Sequence, residues 1–137
     1  MKSRNSLIRL KRFQVDEKRR QVVQIEMMIA EFERMAAELD EQILAEQKRS
    51  GISDVAHFAY PTFAKAAMAR RDNLMESANE LRGQLDAAQA ALSEAVEDMK
   101  KIELMEERDH MRERTAQDAA EQDELDEVAS RMGARSA

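Results

Sequence analysis

A chain of 137 residues with net charge −6, 36% charged and 4% aromatic residues and no Trp cannot assemble the broad core of an ordinary domain of its length. Three Gly and one Pro leave too little turn chemistry for a β architecture, and the lack of Cys excludes a disulfide framework and thiol chemistry. What remains is a choice between disorder, which so much charge favours, and long helices, which abundant Ala, Glu, Lys, Arg and Leu favour.

The periodicity of the apolar residues decides for helix. In the first segment Ile25, Ile29, Phe32, Ala36, Leu39 and Ile43 are spaced 4, 3, 4, 3, 4. Continued backward, the register meets Val22, Lys18, Val15, Lys11 and Ile8, a heptad seam broken only by two lysines. This predicts a first helix over about 4–49, roughly 65–70 Å long. Its opening "MKSRNSLIRLKRF" is charged throughout and lacks the apolar region of a secretory signal.

The stretch "SGISDVAHFAYPTF", residues 50–63, collects the only Pro and Tyr, two of the four Phe and one of the two His. Gly51 suits a left-handed helix stop, and Ser53 and Asp54 suit a new cap. Pro61 suits a first helical turn, with Tyr60 before it biased away from helical dihedrals. The stretch is expected to be a corner over about 50–60, with one helical turn inside it at 54–58.

A second helix is expected over about 61–130. Leu74, Ala78, Leu81, Leu85, Ala88, Leu92, Ala95, Met99 and Ile102 repeat the 4–3 alternation. Strict register then lands on Glu106 and Asp109, and Leu104, Met105 and Met111 suggest a local shift of phase instead. Past Met111 the seam thins to Leu125, Val128 and Met132, so the last twenty or so residues are expected to fray.

Two apolar stripes joined by a short corner are best buried against each other. The expected fold is all-α, two long helices in one antiparallel coiled-coil hairpin over 1–137, with residues near 25 packed against residues near 95–102. No run of about 18 apolar residues offers a membrane span. Residues 1–20 carry eight cations against two acids, +6, and residues 106–137 carry ten acids against five Arg, −5. In an antiparallel hairpin these segments adjoin. The basic stretch either balances the acidic tail or forms an electrostatic docking end for a partner.

Chemistry at a site finds little to stand on. His57 and His110 sit in different segments with no paired ligand spacing, and no phosphate-binding glycine loop occurs. The glutamates fall on solvated faces that offer no pocket to tune a carboxylate. The chain therefore reads as no enzyme, with no cofactor and no metal. Nucleic acid is disfavoured by the negative net charge, by missing aromatics near the cations and by apolar seam residues running through the basic segment. The methionines read as core filler or as an adaptable surface for partners.

The corner elements Gly51-Ile52-Ser53 and Tyr60-x-x-Phe63, set between two long charged heptad helices, resemble the flagellar export protein FliJ family. The opening "SLIRLKRFQVDEKRRQV" is similar to that family's N-terminal segment in its alphaproteobacterial members, and the resemblance covers nearly the whole chain. It implies a cytoplasmic protein, peripheral at the inner-membrane export apparatus, built like the central stalk (γ) subunit of rotary ATPases. The end bearing both termini would enter the hexameric flagellar export ATPase, and the corner would reach the cytoplasmic domain of the export gate. Export chaperones are further implied partners.

On that resemblance the ATPase end comprises Ile8, Arg9, Lys11 and Arg12, and the gate end Tyr60, Phe63, Ala67 and Leu74. Arg70 stands where the family has a small apolar residue. The bland reading of the corner aromatics is a plug that closes the hairpin. The other functional class is a generic coiled-coil scaffold or holdase-like chaperone, expected to self-associate, whereas a stalk is expected to be a monomer.

Overall fold

The computed structural model describes residues 2–136, with side chains from Arg4 to Ala134. The charges of Lys2 and Arg135 belong to side chains outside that set, as do residues 1 and 137 of the expected domain. Two helices make up the fold, α1 (Lys2–Ser50) and α2 (Thr62–Ser136), with no strand among the described residues. Their contacts group into two compact units, which are described in turn: residues 14–95, and residues up to Phe13 together with those from Val96 on.

In the unit of residues 14–95 the helices run antiparallel. Val15, Val22, Ile29, Ala36 and Ile43, seven residues apart, are all buried, and the intervening seam positions Lys18, Ile25 and Phe32 are half-buried with Leu39 buried. On α2, Ala78 and Leu81 are buried, and Leu74, Leu85, Ala88, Leu92 and Ala95 are half-buried. Lys18 tolerates its seam position because its stem packs while its ammonium reaches water. Arg71 Nη1 donates to Asp40 Oδ1 at 2.8 Å, which holds the guanidinium pKa up, and Arg82 pairs with Glu33.

The register differs from the one expected. Glu26 and Ile29 lie beside Leu85 and Asp86, so residue 25 faces residues in the high eighties rather than 95–102. The reason is geometric. Helices that leave a corner centred near residue 56 at equal rise must pair residues equidistant from it.

The second unit holds the ends of both helices. Ile8 is buried and Lys11 half-buried, so the α1 seam continues here. On α2 no change of phase occurs: Glu106 and Asp109, in strict register after Ile102, are the half-buried positions, while Leu104, Met105 and Met111 are 51%, 47% and 58% exposed. The carboxylates occupy the seam because Arg4, four residues before Ile8, meets them there. Its Nη1 is 3.7 Å from Glu106 Oε2 and pairs directly with Asp109. α2 continues to Ser136, beyond the end near 130, and is helical where fraying was expected, although every described residue from Met111 on is exposed.

Candidate functional site

The corner is built from short local hydrogen bonds. Gly51 takes φ 73°, a left-handed conformation that a Cβ would oppose, and its N–H donates to Gln47 O at 2.9 Å to close α1. The Ser50 hydroxyl accepts from Ile52 N at 3.2 Å. Asp54 then folds the next stretch. Its Oδ1 accepts from Ala56 N at 2.9 Å and its carbonyl from His57 N at 3.1 Å. Residues 54–58 form turns rather than a helical turn. Tyr60 N donates to His57 O and Lys65 N to Pro61 O, each at 3.1 Å, which starts α2.

These turns sort the aromatic residues into two groups. Tyr60 is buried, 6% exposed, and its hydroxyl accepts from Gln47 Nε2 at 2.9 Å and contacts Met68 Sδ at 3.6 Å. Ala67 is buried in a cluster with Leu39 and Ile43, and Leu74 packs against that cluster. Of the four residues expected at the gate end, Tyr60 and Ala67 therefore serve the packing of the hairpin, Leu74 is half-buried, and Phe63 alone is exposed, at 56%. Phe58 is 96% exposed, with only the His57 ring stacked on it at 4.8 Å. It is one of the corner aromatics that two helices were not expected to bury in full, though it was not in the gate-end set of Tyr60, Phe63, Ala67 and Leu74. Its signal was its place inside turn chemistry, with no seam position to bury it.

In the other unit the four residues expected at the ATPase end are brought near one another on α1 but face different ways. Ile8 is buried in the seam, Lys11 is half-buried, and Arg9 and Arg12 are exposed. Arg12 Nε is 3.4 Å from Glu103 Oε1. Sequence reasoning missed two features. Leu7, Leu10 and Phe13 stand 37%, 50% and 57% exposed on α1, off the buried seam. Glu106 joins Arg4 to His110, whose Nε2 lies 3.1 Å from Glu106 Oε1. Opposite charges at matching seam positions were the readable sign of the second.

Among the described residues no helix is long and apolar enough to cross a membrane, and no cluster of His, Asp or Glu is placed to hold a metal ion. The family model described as Flagellar FliJ protein matches residues 1–137. The chain belongs to the flagellar FliJ family. As a FliJ-family protein it is a component of the flagellar export apparatus. No curated protein and no solved structure matches it significantly.

Proposed function

We propose that this chain is a cytoplasmic stalk of the flagellar type III export apparatus, peripheral at the inner membrane, linking the export ATPase ring to the export gate and assisting export chaperones. A single copy acts in the assembled stalk, resembling the γ subunit of rotary ATPases. The observation that carries the reading is the match of residues 1–137 to the flagellar FliJ family. At the helix ends Glu106, Asp109 and Glu103 of α2 balance Arg4 and Arg12, which leaves Arg9, exposed and with no ion-pair partner among the described residues, to meet the ATPase. The exposed Phe58 and Phe63 support a partner surface at the corner, because a solvent-facing aromatic contributes its apolar area only when a partner covers it.

Pull-down with the export ATPase and, separately, with the cytoplasmic domain of the gate tests the proposal. Arg9→Glu is expected to reduce capture of the ATPase, and Phe58→Ala with Phe63→Ala to reduce capture of the gate. Wild-type chain that captures neither would refute the stalk. A generic scaffold or holdase draws on a different observation, the exposure of Met27, Met28 and Leu44 at 66%, 47% and 60% on α1. That reading expects capture of unfolded clients and indifference to the ATPase.

A further inference from the structure

Two apolar faces stand exposed within the unit that holds the helix ends. The first is on α2 past the last seam pair with α1. Leu125 and Val128, with Met132 a turn on, fall at i, i+3 and i+7 and so share one helix face, at 63%, 44% and 67% exposure. Glu121 and Glu124 border Leu125 and Val128 in a shallow hollow. Among the described residues neither glutamate has an ion-pair partner, whereas Glu127 pairs with Arg131 at 2.7 Å and Asp126 accepts from Gln122 at 3.0 Å. Residues 113–134 hold seven acids against two Arg.

The second face is on α1, where Leu10 and Phe13 are three residues apart and about half exposed. Arg9, four residues before Phe13, shares that side and has no ion-pair partner among the described residues. An apolar stripe edged by unpaired carboxylates and an apolar patch edged by an unpaired guanidinium are complementary. They do not meet within one chain, because the pairing of Arg12 with Glu103 and of Arg4 with Glu106 and Asp109 sets Leu10 and Phe13 well short of Leu125 along α2.

We propose that the projecting end of α2 in one copy packs on the Leu10–Phe13 face of α1 in a second copy, and reciprocally, giving a two-fold pair. Leu125 and Val128 lie on Leu10 and Phe13, and Glu121 or Glu124 meets Arg9. A reciprocal pair of this kind is the symmetric arrangement in which one surface type serves both partners. It also supplies the cover that a helix end without a packing partner lacks. The pair masks Arg9, the residue assigned above to the ATPase contact, so it is a resting form that opens before the stalk docks. Dimerisation itself goes beyond the stalk reading and does not depend on it, although self-association was expected of a scaffold rather than of a stalk; its role as a resting form rests on the stalk reading.

Sedimentation of the full chain as a function of concentration reads the association, and circular dichroism reads the fold. At low salt the wild-type chain is expected to pass from monomer to dimer, with the equilibrium shifting toward monomer as salt screens the charge pairs. Leu125→Asp with Val128→Asp, both at exposed positions, is expected to abolish the dimer at unchanged helicity. Glu121→Arg with Glu124→Arg in one variant, and Arg9→Glu in another, should each weaken association by about tenfold, since each dimer contains the contact twice. An equimolar mixture of these two variants should regain it, because each reversed α2 end then meets a reversed α1 face. A wild-type chain that stays monomeric at every concentration overturns the proposal and leaves the α2 end to a basic helix of a different protein. Charge variants that associate as well as wild type, or a mixture that does not recover, overturn it equally. Failure to bind the ATPase leaves the sedimentation result untouched, so the two readings fail separately.

Discussion

Tyr60 and Phe63, three residues apart, play opposite parts. The Tyr60 ring is enclosed and its hydroxyl is satisfied by Gln47, so Tyr60→Phe removes one net hydrogen bond and is expected to lower stability by about 1 kcal/mol. Phe63→Ala removes a ring that is already 56% exposed and is expected to cost less than about 1 kcal/mol, against about 3–5 kcal/mol for a fully buried Phe. Chemical denaturation of the two variants checks both values. A large loss for Phe63→Ala would make it a plug residue and remove it from the partner surface. The sequence marked the corner through Gly51, Asp54 and Pro61, because turn chemistry is local. It did not separate Tyr60 from Phe63. Which aromatic turns inward depends on where Gln47 and Met68 lie across the corner, and that is set by the register of two helices rather than by any neighbour in the chain.

At the scale of the helix, burial follows the heptad closely. Ile43 is 4% exposed and packed with Leu39 and Ala67, so Ile43→Ala is expected to cost about 2–5 kcal/mol. Leu44, its neighbour on the solvent side at 60% exposure, should tolerate Ala within about 0.5 kcal/mol. Thermal unfolding of the pair tests the seam one residue at a time. The outer face of α1 adds a pH dependence. Arg34 donates from Nε to Glu31 Oε2 at 3.1 Å and from Nη2 to Oε1 at 2.5 Å, holding the Glu31 carboxyl below the usual carboxylate range. A depressed folded value adds stability above the unfolded pKa and loses it as the pH falls through the folded one. Glu31→Gln is therefore expected to flatten the acid limb of a stability titration below about pH 4.5 by slightly lowering the neutral plateau, where the charged pair is lost, while leaving stability at acid pH nearly unchanged. The seams were legible because a period of 3.5 survives any partner. The last turns of contact were not. Leu104, Met105 and Met111 drew the reading off register, whereas the fold keeps register by setting Arg4 between Glu106 and Asp109. Apolar pattern alone does not disclose a polar seam.

For the whole molecule, the proposed stalk requires two contacts that act without disturbing each other. Phe63 belongs to the unit of residues 14–95, and Arg9 to the unit containing the helix ends. The two residues share no hydrogen bond, ion pair or packing cluster. Substitutions with no common neighbours usually add within about 0.3–0.5 kcal/mol. Phe63→Ala is thus expected to reduce gate binding and protein export and to leave ATPase affinity as it was. Arg9→Glu, at an exposed position off the seam, is expected to reduce ATPase affinity, most at low ionic strength where screening is weakest, and to leave gate affinity as it was. Lys11 and Arg12 are kept in this variant, because a Glu in the half-buried seam or opposite Glu103 would confound docking with loss of the helix pair. The combined variant should show the sum of the two losses in binding free energy when each partner is titrated separately. Coupling well above about 0.5 kcal/mol would mean that one contact alters the other's surface. The chain would then be a switch between partners rather than a passive link, and the two-contact stalk would fail as its description.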